Sequence, residues 1–386
     1  MEAQWDWCSS LDAGDVVDVI TIDFRKAFDV VPHDKLITKL SSVGVCDLSL
    51  RWIAAFLSER KQCVCINKKC SASGDVTSGV IQGSVIGPLL FALYINDLPD
   101  ACPDCTIKLF ADDAKAYKCI RAASPASDRA ILQASLNSLC DWARRNVLDL
   151  SIEKCCFFQV GYRNLTLVYH LNADIITPCD SITDLGITLH SSLKSGLHCS
   201  SIVSKASARA KLILKTFLSC DPAILTRAFV VYVRPLLEYC CPVWSPHFKQ
   251  DIDLIESVQR TFTRRLFDYC HLQPASYDNR LSLLGLQRLE VRRTHADLIF
   301  MFKLTHNLIL SNLSRMLHFG TRTTRGHKYK LFINPCNKDV FKFCFLNRVA
   351  PIWNSLPIDC FTVDSLYSFK NKLISMDFSH FLHGRS

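Results

Sequence analysis

The chain lacks any stretch able to cross a membrane, and its start does not resemble an export signal. The opening residues, MEAQWDWCSS, have no basic segment followed by an apolar core. A spanning helix needs about 20 apolar residues. The most apolar run, residues 85–95, contains Gly87 and Pro88, and residues 228–244 are interrupted by Arg234 and Glu238. Both read as buried segments. These absences point to an intracellular, non-secreted protein, with nucleus and cytoplasm both open. Internal repeats and low-complexity runs are missing too. Nor is there a second CxxC or a His pair to complete a zinc site with Cys102 and Cys105. The 20 cysteines are scattered, and without an export signal they read as reduced thiols acting as small apolar residues.

What is present suffices for two or three packed units: 386 residues, 49% of them hydrophobic. The formal net charge of +9 favours polyanionic partners such as nucleic acid. Residues 15–24, rich in Val and Ile, read as a buried strand. Apolar spacing predicts helices over residues 33–43, 48–59 and 88–98, with Pro88 in a first turn. Strands are expected at residues 62–67, 106–110, 114–120, 155–160, 165–171 and 182–189, and a long helix from Ser124-Pro125 to about Asn146. Beyond Ser191 the pattern turns helical and basic, with helices over residues 202–218, 252–267 and 280–307. Lys205, Arg209, Lys211, Lys215, Arg260, Arg264 and Arg265 lie on the first two of these.

Two acidic positions stand in apolar surroundings: Asp23 at the end of the first strand, and Asp112-Asp113 between two short strands. A carboxylate beside a buried strand is costly unless paired or bound to a cation. Three such groups can hold two Mg²⁺ ions about 4 Å apart and support phosphoryl transfer. By itself, an Asp-Asp pair in a turn is an ordinary solvated hairpin tip. The ordered set of strings decides the matter.

ITIDFRKAFDVVPHDKL (residues 20–36) resembles motif A of LINE-type, non-LTR retrotransposon reverse transcriptases. SGVIQGSVIGPLLFALYINDLP (78–99) resembles motif B. KLFADDAKAY (108–117) resembles motif C, with Phe110 where many relatives carry Tyr. WARRNVLDLSIEKC (142–155) and TDLGITL (183–189) resemble motifs D and E. The strings VRPLLEYCCPVWSP, IESVQRTFTRRL, LGLQRLEVRR and RVAPIWNSLP resemble the thumb and downstream regions, so the likeness covers nearly the whole chain.

The resemblance implies an α+β, right-hand polymerase fold. A palm of antiparallel sheet and helices would fill residues 1–190, a helical thumb 191–275, and a basic helical extension 276–386. It implies an RNA-directed DNA polymerase that uses an RNA template, a DNA primer, dNTPs and two Mg²⁺ ions, with no membrane partner. Asp23, Asp112 and Asp113 match the catalytic, metal-binding carboxylates. Phe24, Phe28, Gln82, Gly83 and Lys154 match nucleotide-site positions, Phe28 closing the sugar pocket and Lys154 meeting the pyrophosphate. Read without the family, Phe28 is equally a core residue, Gln82-Gly83 a turn and Lys154 a solvated cation; Asp29 reads as a turn or cap residue. The basic, aromatic stretch 321–348 reads as nucleic-acid contact or as plain solvated surface. Relatives carry fingers, and often an endonuclease, before motif A. Only 22 residues, none Lys or Arg, precede Asp23 here. The expectation is a truncated copy, and the alternative function is a palm–thumb remnant that binds nucleic acid without polymerising. A telomerase-like or maturase-like relative is a third, weaker reading.

Overall fold

The computed structural model describes residues 1–161, 167–320, 327, 329–363 and 365–382. The described chain forms two compact units, one of residues Gly14–Asp180 and one combining Met1–Ala13 with Ser181–Ser386.

The first unit is built on a five-stranded sheet. Its strands are β1 (Val16–Ile22), β2 (Thr106–Phe110), β3 (Asp113–Ile120), β4 (Cys156–Val160) and β5 (Thr177–Cys179). Their spatial order is β5-β4-β1-β3-β2, antiparallel except for the β4–β5 pair. β1 is central because its Val/Ile run can be buried on both faces: Val17, Val19, Ile20 and Ile22 are all buried. Ile20 and Ile22 join one core cluster with Leu36 and Leu40 of helix His33–Ser42, and with Leu90, Phe91 and Tyr94 of helix Gly87–Ile95. Helix Pro125–Arg145 adds Leu132, Leu136, Leu139, Cys140 and Ala143, the three-and-four spacing of a single buried stripe.

A buried carboxylate pins this arrangement. Asp18, in the middle of β1, has no exposed surface. Gln159 Nε2 donates to its Oδ1 at 2.7 Å and Tyr169 Oη to its Oδ2 at 2.7 Å. Arg129 Nε, from the long helix, reaches Oδ2 at 3.3 Å. One side chain thus joins β1 to β4, to the helix and to the segment ahead of strand His170–Leu171.

The second unit is mostly helical. Helices Gly196–Thr216, Pro222–Tyr232, Lys249–Tyr269 and Leu289–Thr305 pack around Phe229, Leu237, Ile255, Phe262 and Leu289. Trp353 and Phe369 centre a further cluster with Phe302. No described helix is long and apolar enough to cross a membrane.

Several expectations need correction. Residues 182–189 are not one strand but a hairpin, Ser181–Asp184 and Ile187–His190, because Leu185 takes a left-handed backbone (φ +46°) and turns the chain. The helix expected over 280–307 is two, Tyr277–Leu284 and Leu289–Thr305, separated at left-handed Gly285. The strand at 62–67 is replaced by two-residue ladders, Lys61–Gln62 with Gly74–Asp75 and Cys65–Ile66 with Lys69–Cys70. Cys65 and Cys70 are joined by a disulfide, so the thiols are not all free. Of the strand expected over 165–171, only His170–Leu171 is formed; residues 162–166 lie outside the described chain.

Replacing Asp18 with Ala leaves Arg129, Gln159 and Tyr169 facing a buried gap. The expected loss in urea unfolding is about 3–5 kcal/mol, the cost of breaking a buried pair by removing one partner. A loss below about 1 kcal/mol would mean that water fills the gap and that Asp18 is not the pin.

Candidate active site

The expected carboxylates sit where the central strands end. β1 and β3 pair from Val16↔Ile120 to Ile22↔Ala114. Asp23 and Asp113 are the residues next to that last pair. The alternation of a strand turns both away from the face on which Ile20, Ile22, Ala114 and Ala116 join the helix-packed core. Asp113 is the first residue of β3 and pairs with Phe110, leaving Ala111-Asp112 as a two-residue hairpin turn. Ala111 holds a left-handed backbone there (φ +52°).

The local fold around Asp23 is fixed through its backbone. Its carbonyl accepts from Ser151 N at 2.8 Å, and its N–H points to Cys155 Sγ at 3.5 Å. Lys154 Nζ donates to Asp23 Oδ1 at 3.3 Å, with both side chains partly in solvent. An ammonium group thus offsets the Asp23 charge. Among the described residues, the one trio of His, Cys, Asp or Glu donors within 4.8 Å of one another is Cys63, Cys65 and Cys70. The three Asp carboxylates are therefore spread more widely than a single ion needs. Their donor chemistry nonetheless fits Mg²⁺, which takes carboxylate oxygens and completes its shell with water and phosphate.

The nucleotide-site positions divide. Phe28 is half-buried and stacks on Phe91 at 4.3 Å, so its ring is anchored in the core on one side. The chain over residues 78–82 runs beside it. Val80 N donates to Phe28 O at 2.8 Å and Gly79 N to Val31 O at 2.8 Å. Gln82 Nε2 donates to Asp29 Oδ1 at 2.9 Å, and Ser78 Oγ to Asp29 O at 2.9 Å. Asp29 therefore orients the Gln82 amide, a role the sequence did not signal. Gly83, also left-handed (φ +84°), has open space around it. Phe24 is different: its ring is 3% exposed and tilts against Trp142. Expected at the nucleotide site, it is a core side chain, because the bridge Phe24↔Leu150 turns it inward.

In the helical unit, Lys205, Arg209, Lys211, Lys215, Arg264 and Arg265 are exposed and Arg260 is half-buried. In the described part of the stretch 321–348, Phe332, Lys338 and Lys342 are exposed, but not every cation or aromatic is. Arg348 is an internal ion pair with Asp297 (Nη2–Oδ2 2.9 Å), and Phe341 is buried. Arg322, Arg325 and Lys328 lie outside the described residues. Cys102 is buried, its thiol donating to Ser135 O, as expected of a small apolar residue.

Residues 12–189, just under half of the chain, match the family model described as reverse transcriptase (RNA-dependent DNA polymerase), so this segment is similar to that family. The chain is 26% identical over 281 residues to a probable RNA-directed DNA polymerase from transposon BS of Drosophila melanogaster, covering 67% of this chain and 30% of that protein. It is 28% identical over 263 residues to the RNA-directed DNA polymerase from mobile element jockey of the same fly, covering 64% of this chain and 28% of that one. The chain thus spans less than a third of the length of these relatives. Telomerase from Candida tropicalis overlays with a TM-score of 0.41 and 9% identity over 98% of this chain and 52% of that one, too slight a likeness to carry an argument.

Two glycines of the loop beside Phe28 share a backbone conformation but not an environment. A Cβ on Gly79 (φ +86°) would stand 2.6 Å from Asp29 O, whereas one on Gly83 would meet nothing within 4 Å. Gly83→Ala should cost only the left-handed strain, about 1–2 kcal/mol. Gly79→Ala should cost at least about 2 kcal/mol more, because backbone must move. Urea unfolding midpoints of the two variants give the comparison; equal losses would mean that the loop is not held against Asp29.

Proposed function

We propose that this chain carries the polymerising centre of a retrotransposon reverse transcriptase, joining dNTPs to a DNA primer on an RNA template. The observation that supports it most is the β1–β3 register, whose last pair, Ile22↔Ala114, has Asp23 and Asp113 as its neighbours, inside the segment that the reverse transcriptase model matches. In this reading Asp23, Asp112 and Asp113 would hold two Mg²⁺ ions, which would make the attacking hydroxyl more acidic and offset charge on the leaving oxygen. Lys154, paired with Asp23 at 3.3 Å, would turn its ammonium to the departing pyrophosphate. Gln82, held by Asp29, and Gly83 line the incoming nucleotide, Gly83 admitting close backbone approach. Phe28, braced by Phe91, fills the space of a ribose 2′-hydroxyl. The exposed Lys and Arg of helices Gly196–Thr216 and Lys249–Tyr269 grip the template–primer duplex by its phosphates.

The test is primer extension on an RNA template with Mg²⁺ and dNTPs. It uses this chain and a version joined to the segment that precedes the matched region in a relative. The joined version should extend the primer, and Asp112→Asn should slow it more than about a hundredfold, roughly 3 kcal/mol of lost charge stabilisation. Extension that survives Asp112→Asn would sink the site. Salt-sensitive duplex binding with no extension by either version would leave a nucleic-acid-binding remnant as the function.

Phe28→Val in the extending version should raise ribonucleotide use about tenfold or more, the size of effect one apolar contact supplies. Unchanged discrimination between dNTP and rNTP would make Phe28 a core residue alone.

A further inference from the structure

A small ribbon between the helix Asp47–Leu57 and the loop at Ser78 carries three cysteines, none of which the proposed reaction uses. Cys65–Ile66 pairs with Lys69–Cys70, joined by Asn67-Lys68, both left-handed (φ +48° and +67°). Two successive left-handed residues make the turn that suits a tight hairpin. Cys65 stands directly opposite Cys70 with Cα atoms 4.2 Å apart, the close spacing of a pair without mutual hydrogen bonds. Cys63 lies two residues before Cys65, so the two-residue period of extended chain puts both on one face. Ser71 N donates to Val64 O at 2.9 Å, and Val64 N to Ser71 Oγ at 3.0 Å, which closes the ribbon behind Cys65.

The result is three exposed sulfurs within 4.8 Å of one another, with no carboxylate or imidazole in the group. Three sulfurs bound to one ion at about 2.3 Å stand about 3.8–4.0 Å apart. The face therefore has the span of a three-sulfur site before any rearrangement of the backbone. An all-thiolate donor set is soft and selects Cu⁺ or Zn²⁺ over Mg²⁺ or Ca²⁺. Lys68 and Lys69 on the same ribbon are exposed and offset the negative charge of three thiolates.

We propose that Cys63, Cys65 and Cys70, when reduced, bind one soft cation, Cu⁺ or Zn²⁺, and that the Cys65–Cys70 disulfide is the oxidised, closed form of the same site. Opening it needs a dithiol reductant, which gives up two electrons and two protons and becomes a disulfide. The Cys65–Cys70 bond breaks and two thiols form. Metal binding then releases the three thiol protons to solvent. With Zn²⁺ a water completes the tetrahedron; Cu⁺ needs no fourth ligand.

The experiment titrates the full chain, reduced with a dithiol and desalted without air, with Zn²⁺ or Cu⁺ against a chromophoric chelator. The disulfide form is titrated in parallel, and Mg²⁺ serves as the control ion. Reduced protein should take up one more tightly held equivalent than oxidised protein. Cys63→Ser and the Cys65→Ser/Cys70→Ser double variant should each weaken that equivalent at least tenfold. Cys220→Ser, which removes an exposed thiol elsewhere, should not. All the ribbon cysteines are exposed, so the variants should keep the wild-type circular dichroism. A preference for one of the two soft ions supports the site and identifies its occupant. Equal uptake by reduced and oxidised protein overturns the proposal. So does full uptake by the ribbon variants, competition by Mg²⁺, or an equivalent held only by paired chains in sedimentation.

Discussion

One buried charge constrains most of the first unit. Placing Asp18 in the middle of a strand covered on both faces removes a carboxylate from water, a cost tolerable only with partners on every side. Those partners come from β4, the long helix and the chain near Tyr169, so the strand can be satisfied in one register alone. A slip of one residue would turn Asp18 to the opposite face and Ile20 and Ile22 with it. The same register carries forward to the strand end. Its last pair, Ile22↔Ala114, leaves Asp23 and Asp113 as the next residues, Asp23 five residues from the pin.

Around that strand end, the chain controls side chains through the backbone rather than through side-chain packing. The loop following Ser78 lies along Phe28–Val31 by main-chain bonds, and Gly79 permits an approach that any other residue would block. Only then can the Gln82 amide reach Asp29, and only then does a half-buried Phe28, backed by Phe91, face a defined neighbour. Two segments about fifty residues apart are thereby locked into one wall. Asp23 has Lys154 as its counter-ion.

How far the sequence foretold this depends on the range of each interaction. β1, the hairpin of β2 and β3, and the helix from Pro125 were legible because period, turn residues and caps are local signals. The α+β class and the candidate carboxylates followed from them and from the ordered strings. The role of Asp18 was invisible, since its donors lie more than a hundred residues away. Leu185 itself gave no sign of a left-handed turn, and the turn-prone Asp184 and left-handed Gly186 beside it were read through as strand. Phe24 shows the opposite failure: adjacency to Asp23 suggested the site, but neighbouring strand residues face opposite ways. Arg348 shows it again, a cation in a basic stretch that turns inward to Asp297.

The second unit is closed by its first helix docking on residues more than 300 positions away. Helix Glu2–Asp12 is held by Glu2 accepting from Asn312 N and by Asp12 accepting from Asn337 N and Lys338 N, with Trp7 and Cys8 buried. During synthesis this helix leaves the ribosome roughly 300 residues ahead of its docking surface. At about 5–20 residues per second, it waits on the order of 15–60 s with its tryptophans exposed. Residues Gly14–Asp180 meet all their own strand partners in that interval. For this helix, birth order therefore runs against packing order: made well before its docking surface, it settles only after that surface, and a nascent-chain chaperone has most reason to hold the chain there.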